Sequence, residues 1–440
     1  MIEPRTFKGT RDLLPAEQAP REALIDRLKT VFRRYGFAPL ETPAMELQEI
    51  LGGKYGEDVE KLIFKLAYKD GNTLALRYDL TIPLARVMAM NPQLIKPFKR
   101  YQIQPVWRAD NPQIRQGRFR EFMQCDVDIV GTSSLLADAE IIMATYDSLK
   151  AIGFGDDDNS FTMRINNRSA LAGLCEFVDL SGKEIIICKA IDKWDKIKSE
   201  GVHKELIENG IPLSASTKIV DLVGSWEPKT DMDPRWCAML EQTSSGRKGF
   251  LELMEVSNNL RMFGLDESSY IFDPKIARGL DYYTGTIYET TLEKAPHIGS
   301  LTGGGRYDNL IGLFTNQSIP AVGTTVGLDR ILSAMETLNI KIDAPMSSEI
   351  MITVFDKEGL DYSISLAKKL REAGRRVELS YMIGNIGKQL ELCDKKKIPF
   401  AIIAGPDERA RGEVSIKDLR NSTQIKVPVY DLEATILTLL

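Results

Sequence analysis

The hydrophobic and polar positions of this chain change rhythm several times, and each rhythm predicts a different kind of element. Between residues 98 and 130 (FKRYQIQPVWRADNPQIRQGRFREFMQCDVDIV) two runs alternate with period two, as half-buried strands do. In the first, Arg100, Gln102, Gln104 and Arg108 take the even positions against Tyr101, Ile103 and Trp107. In the second, Arg118, Arg120, Phe122, Gln124, Asp126 and Asp128 stand against Phe119, Met123, Cys125, Val127 and Ile129. The turn-rich Asp110-Asn111-Pro112 and Gly117 between them predict a long-looped antiparallel hairpin with its two polar faces side by side. A solvated sheet face is the ordinary meaning of such a pattern. Arginines for anions, an aromatic for stacking, and a glutamine with two aspartates for a cationic or hydrogen-bonding ligand instead suit a pocket for a nucleotide and an amino acid.

The rest of the chain fills in around that hairpin. Leu24, Leu28, Val31 and Phe32 recur at helical spacing and predict a helix over 16–35 that Gly36 stops. Short strands are expected at 62–66 and 74–77, then an apolar helix over 82–90, for which Thr81 is either the N-cap or a ligand contact. A helix over 135–151 and a strand at 161–165 follow. Residues 169–263 carry helical periodicity and read as a helical insertion within a sheet domain. Strand patterns return at Tyr270, and 270–292 reads as two strands joined near Gly285. In 321–330, Gly323 and Gly327 suit close approach of a ligand or tight strand-turn-helix packing. Strands at 350–355, 377–379 and 400–403 alternate with helices near 359–373 and 384–396 and predict a compact α/β unit. The expected organisation is a core over 1–338, a linker over 339–348 and a last domain over 349–440.

Composition narrows the chemistry. At 440 residues, with 43% hydrophobic and 27% charged content, this is an ordinary globular chain of two or three domains. No run of eighteen apolar residues and no basic-then-apolar leader is visible, so neither a membrane span nor a secretory signal is expected, and the expected location is cytoplasmic. Five cysteines without a CxxC pair predict a reduced protein with no zinc site. With two histidines, His203 and His297, multi-histidine metal sites and Ser-His-Asp or Cys-His catalysis are close to excluded, and no metal is assigned to protein ligands. The net charge of −5 argues against nonspecific nucleic-acid coating, yet between residues 96 and 120 seven lysines and arginines face the single Asp110. That local anion site fits ATP, a nucleic-acid end, or both.

No GxxxxGK[ST] loop and no strand-borne GxGxxG is present, so side-chain cations must hold any triphosphate. HIGS at 297–300 and PMSS at 345–348 superficially resemble the HIGH and KMSKS elements of one synthetase class, but lack the final histidine or the lysines and come too late in the chain. Arg108, Arg278 and Arg330 lie in three strand-edge contexts, as a phosphoryl-centre reaction run by position and charge requires.

Taken together, these segments resemble the class II aminoacyl-tRNA synthetases, and within them the histidyl-tRNA synthetase family. Residues 37–45 resemble motif 1, 108–128 motif 2 and 323–330 motif 3, while ARGLDYYTG at 277–285 and GGGRYD at 303–308 resemble the histidine-specific segments. The resemblance implies an α+β fold: an antiparallel-sheet catalytic domain with a helical insertion, followed by a small α/β anticodon-binding domain. It implies Arg108 on the α-phosphate of ATP, Phe122 stacked on adenine, Asp110 near the adenine amine and Arg330 on the γ-phosphate. By the same resemblance, Asp79, Thr81 and Gln124 receive the substrate's α-amino group, and Asp128 and Tyr283 bracket the imidazole with Tyr282 and Tyr307 beside them. Arg278 works at the carboxylate and α-phosphate, and Arg118 contacts ATP or tRNA. The implied reaction is two-step: L-histidine and ATP give histidyl-adenylate, and the acyl group passes to the 3′ end of tRNA(His). Mg2+ accompanies the ATP, and a homodimer forms through motif 1. Asp79 and Asp128, where many bacterial members carry Glu, resemble the eukaryotic-type subgroup. A non-catalytic regulator of the ATP phosphoribosyltransferase type shares this core. The presence of Arg278 and of the C-terminal tail speaks against that alternative.

Overall fold

The computed structural model describes every residue except 1, 53–60, 69–70, 72, 115–116, 156–159, 227–231, 278–281, 316, 343, 345–347 and 440. Arg278 and Arg115 therefore lie outside the described residues. The chain divides into two compact units, Met1–Ile342 and Asp343–Leu440.

The first unit is built on an eight-stranded sheet. Its strands are β1 (Ala38–Pro39), β5 (Phe98–Trp107), β6 (Glu121–Val130), β7 (Phe161–Asn167), β8 (Tyr270–Phe272), β9 (Thr286–Leu292), β10 (Thr302–Arg306) and β11 (Ala321–Gly327). The smaller β2 (Met45–Leu47), β3 (Lys65–Ala67) and β4 (Thr73–Leu76) form a separate three-stranded sheet. The large sheet runs β1-β5-β6-β11-β10-β9-β7-β8 and is antiparallel except at its two edges, where β1 pairs with β5 and β8 with β7 in parallel. The predicted hairpin forms with Arg100 opposite Asp128, Gln102 opposite Asp126 and Gln104 opposite Gln124, so the even positions share one face. That face is buried, against the ordinary expectation for such a pattern: Arg100, Gln102, Gln124, Asp126 and Asp128 are all enclosed. Arg118 and Arg120 precede β6 rather than belonging to it, because the chain turns at Gly117 and Arg118 bridges back to Gln113.

Helices cover the opposite face. Pro15–Arg34 buries Leu24, Leu28, Val31 and Phe32 and ends at Gly36, which takes a φ of +75° that few other residues adopt. It packs on Leu135–Ala151, whose Ser134 side chain accepts the Leu136 N–H as N-cap. Ile141, Ile142 and Leu149 of that helix join the first helix in one core. The insertion consists, among the described residues, of helices from Arg168–Phe177 to Ser244–Met262, and the last of these packs on both Arg168–Phe177 and Leu135–Ala151. Among the described residues no helix is long and apolar enough to cross a membrane.

Two local expectations change. Thr81 is the first residue of the helix Thr81–Met90 and makes no cap. The Asp79 carboxylate, three residues before Ile82, accepts the Ile82 N–H at 3.2 Å instead. The strands of 270–292 are not neighbours: β7 lies between β8 and β9 and pairs with both. Pairing with a distant strand outweighs the local turn there.

The second unit is a five-stranded mixed sheet of β12 (Ile350–Val354), β13 (Val377–Ile383), β14 (Phe400–Ile403), β15 (Glu413–Asp418) and β16 (Thr423–Pro428), in the order β13-β12-β14-β15-β16. Leu360–Glu372 supplies Leu366, Ala367 and Leu370 to the core on one side of β12, and Cys393 of Ile386–Lys395 packs with Met351 on the other. The hairpin of β15 and β16 was not legible in the hydrophobic pattern, since β16 exposes most of its residues.

Candidate active site

The floor of the site is β6. Its period of two sets Gln124, Asp126 and Asp128 in a row on the enclosed face, and β11 completes the floor with Gly323 opposite Asp128 and Thr325 opposite Asp126. Gly323 is required by contact: a Cβ there would fall onto the Asp128 carboxylate, so only glycine lets that carboxylate lie flat against the neighbouring strand. Gln124 donates to the Thr325 hydroxyl at 3.1 Å.

Beneath the floor sits Arg100, fully buried, with Nη2 2.8 Å from Asp128 Oδ2 but 3.9 Å from Asp126 Oδ2. The Asp128 contact is an ion pair by distance whose N–H is not aimed at the oxygen, since Oδ2 lacks a hydrogen-bond donor. The other oxygen, Asp128 Oδ1, accepts a short hydrogen bond from the Tyr307 hydroxyl. Burial pushes both Asp126 and Asp128 above the usual carboxylate range, Arg100 pulls each back, and Asp128 pushes Asp126 further up. Burial also raises the Tyr307 phenol, with Asp128 adding to the rise, so Tyr307 stays protonated and donates.

Thr81, Tyr282, Tyr283, Gly303, Tyr307 and Thr324 form the walls around this floor and line a partly open cavity. The rings of Tyr282 and Tyr283 lie 4.7 Å apart, and Tyr282 meets Tyr307 edge-on at 5.8 Å. Asp79, in the loop before Thr81–Met90, is buried as well. Burial pushes its carboxyl up to about 6, against the pull of the Ile82 N–H, Arg108 and Arg100.

A second group of the expected residues lies at the far end of the hairpin. The Arg108 guanidinium donates through Nε to the Tyr78 carbonyl at 3.0 Å and stands 5.1 Å over the Phe122 ring, which places a cation and an aromatic face side by side. Asp110 and Arg118 form a short ion pair across the loop. Arg330 donates to the Ser300 carbonyl at 2.8 Å. A Cβ on Gly117 would meet Asp329 O at 2.9 Å and Arg330 Cα at 3.3 Å, so the hairpin loop runs directly past the start of the helix Leu328–Thr337.

The cavity thus brings together Thr81, Asp128, Tyr282, Tyr283 and Tyr307. Gln124 joins the floor through Thr325, and Asp79 through its electrostatic coupling to Arg100 and Asp128. Arg108 and Phe122 meet each other, and Arg330 lies against the loop that carries Asp110 and Arg118. Sequence reasoning assigned no role to Arg100 or Asp126, although their even positions in the alternation carried that signal. It missed the Asp329 hub altogether. Arg21 binds the Asp329 carboxylate with both nitrogens, Arg11 adds a third contact, and the Met123 N–H donates to it. Since Met123 follows Phe122 and Asp329 precedes Arg330, that carboxylate ties the two anion-site segments together.

Comparison with known proteins agrees with this geometry. The family profile described as Histidyl-tRNA synthetase matches residues 9–331, and the profile described as Anticodon binding domain matches residues 345–439. A curated relative named Histidine--tRNA ligase, from Cytophaga hutchinsonii, is 40% identical over 450 residues, covering 97% of this chain and 98% of its own length. Another of that name, from Gloeobacter violaceus, is 41% identical over 465 residues, with 98% and 97% covered. The crystal structure of histidyl-tRNA synthetase from Nostoc sp. PCC 7120 superposes over 100% of both chains with a TM-score of 0.87 at 32% identity. The chain belongs to the histidyl-tRNA synthetase family.

Proposed function

We propose that this chain is a histidine–tRNA ligase, which activates L-histidine with ATP and transfers it to the 3′ end of tRNA(His). The observation that carries this reading is the buried floor of Gln124, Asp126 and Asp128 over Arg100, walled by three tyrosines: the acceptors and phenols that an imidazole and an ammonium require. Near-full-length relatives carrying the ligase name support it over a non-catalytic regulator.

The roles follow from the chemistry of each group. Asp79, with Thr81 and Gln124, receives the α-ammonium, an assignment favoured by its buried carboxylate, on which Arg108 and Arg100 act electrostatically. Asp128 accepts an imidazole N–H, and Tyr283 serves the other nitrogen, so analogues lacking either polar atom leave a buried group unpaired. Tyr307 holds the Asp128 carboxylate in place, and Tyr282 packs against both tyrosines. Arg108 and Arg330 take the α- and γ-phosphates, Phe122 the adenine face, Asp110 the adenine amine, and Arg118 the nucleotide or the tRNA end. Arg278, outside the described residues, is proposed to act on the substrate carboxylate and the α-phosphate. The carboxylate oxygen attacks the α-phosphorus and pyrophosphate leaves. The terminal ribose hydroxyl of the tRNA then attacks the acyl carbon and AMP leaves. Position and charge supply most of the acceleration in such a reaction. Among the described residues there is no cluster of three or more metal-ligating side chains, so Mg2+ is proposed to arrive on the ATP, with phosphates and water as its ligands. The unit over 343–440 is proposed to read the anticodon, and the enzyme to act as a cytoplasmic homodimer.

The test is ATP–pyrophosphate exchange by the purified chain with each of the twenty amino acids in turn. Exchange with histidine alone is expected. Exchange with a different amino acid, or none with histidine, sinks the proposal.

A further inference from the structure

Asp126 is the floor residue to which the reading above gives no task. It lies between Gln124 and Asp128 on β6, 2% exposed, and it lines the cavity. Across the strand pairs it faces the neutral Gln102 on β5 and Thr325 on β11. The buried cation favours its neighbour: Arg100 lies 2.8 Å from Asp128 and 3.9 Å from Asp126. Its Oδ1 has no hydrogen-bond donor at all.

The neighbouring buried atoms in the same state are two acceptors, the Thr324 hydroxyl and one donor, Arg100 Nε. Gln124 Oε1 and Asp128 Oδ2 lack donors, and the Tyr307 phenol already donates to Asp128 Oδ1. The charged and titratable groups around Asp126 are Asp128 beside it, Arg100 from β5, Asp79 from the loop before the helix, and the phenols of Tyr282, Tyr283 and Tyr307. Among the described residues, three carboxylates therefore surround one buried guanidinium. A site with that surplus of negative charge and of bare acceptors selects a ligand rich in N–H groups and positive charge. A substrate α-ammonium answers Asp79. A neutral imidazole brings one further N–H, which Asp128 takes, and leaves Asp126 bare. An imidazolium brings two.

Resting on the proposed histidine pocket, we propose that Asp126 is a specificity-determining residue that, with Asp128, takes the substrate side chain as its imidazolium cation. The proton that makes the ring a cation is taken up from solvent on binding and is held by the ring between the two carboxylates. Asp126 is thus a second acceptor for the ring and a charge that a neutral aromatic side chain of the same size cannot match.

The experiment is the 15N spectrum of ring-labelled L-histidine bound to the wild-type chain at pH 7.5, where the free ring is predominantly neutral. Both ring nitrogens are expected at imidazolium shifts. The Asp126→Asn variant, similar in size but uncharged, is expected to return the bound ring to a neutral tautomer. It should also raise the histidine KM about tenfold or more, the scale of a buried hydrogen bond to a charged group, with the ATP KM little changed. A bound ring that is neutral in the wild type overturns the inference alone, and does so even if the variant fails to fold. An unchanged histidine KM in a folded Asp126→Asn protein overturns it as well. If no histidine resonance from a bound state appears and wild-type exchange is absent, the histidine reading of the pocket falls with it.

Discussion

Two buried strands of this chain use burial for opposite ends. In β12, Ile350 and Ile352 face one apolar cluster with Leu366 and Phe400, and Met351 faces another with Cys393 and Ala401. Its one polar side chain, Thr353, is satisfied by donating to the Ile402 carbonyl at 3.0 Å. In β6, Cys125, Val127 and Ile129 serve the core in the same way, but the other face carries Gln124, Asp126 and Asp128, with acceptors that no donor meets. Burial in β12 stabilises the fold. Burial in β6 costs stability, raises the carboxylates, and prepares a cavity whose unpaired atoms are completed by a ligand.

The contrast breaks most sharply at Gly323. Substitution by valine drives side-chain atoms into the Asp128 carboxylate and displaces it from Tyr307 and Arg100. Breaking one side of a buried charge pair typically costs about 3–5 kcal/mol, so histidine-dependent exchange should fall by roughly a hundredfold or more. Calorimetric titration with histidine should show the loss in binding. Near-normal exchange would mean that Asp128 does not anchor the substrate. The matching change in β12 is Ile352→Ala, for which a buried Ile→Ala loss of about 2–5 kcal/mol is expected. Chemical denaturation should register it as early unfolding of the 343–440 unit, with histidine–ATP exchange unaffected. A loss of exchange equal to that of Gly323→Val would erase the distinction between the strands.

What the sequence disclosed follows the same line. The period of two in 98–107 and 121–130 was enough to set Gln124, Asp126 and Asp128 on one face, and helical spacing marked the insertion, because both patterns are local. Which side of the sheet would be covered was not local. Periodicity alone leaves the even face open between a solvated surface and a pocket, and the cover comes from β11, which brings Gly323 and Thr325 alongside, and from the tyrosines of 282–307. Arg100 as counter-ion depends on a cross-strand register, and Asp329 on contacts with Arg21 and Arg11 more than three hundred positions away. The insertion of β7 between β8 and β9 is likewise a long-range pairing that no turn signal announces. Asp79 offered a local clue, an acid three residues before Ile82, which the reading of Thr81 as N-cap or ligand contact left unused.

Asp79 sharpens the comparison through pH, because its two effects have opposite signs. Its folded-state value, about 6, lies above the ordinary 3.8. The folded chain therefore binds this proton more readily than the unfolded one, and the stability linked to it is full below about pH 4 and lost as pH rises through about 6. Ammonium binding needs the ionised form and runs the other way. Histidine affinity should fall about tenfold per pH unit below about 6, measured by titration, and Asp79→Asn should bind weakly with that dependence removed. Undiminished affinity in the wild type at pH 5 would take Asp79 out of the ammonium site.

The mildest change tests whether β12 is as fully satisfied as its contacts indicate. Thr353→Val keeps the shape and removes the hydroxyl that bonds the Ile402 carbonyl. A hydrogen bond between neutral groups contributes about 1 kcal/mol net, and the valine methyl recovers part of that through apolar burial, so the denaturation midpoint should move only slightly and exchange not at all. The equivalent apolar swap in β6, Asp126→Val, instead leaves Arg100 with one fewer carboxylate and removes a proposed ligand contact, and so should be felt in histidine KM. If Thr353→Val destabilises by several kcal/mol, β12 depends on polar contacts as β6 does, and the division of burial between stability and recognition does not follow the two units.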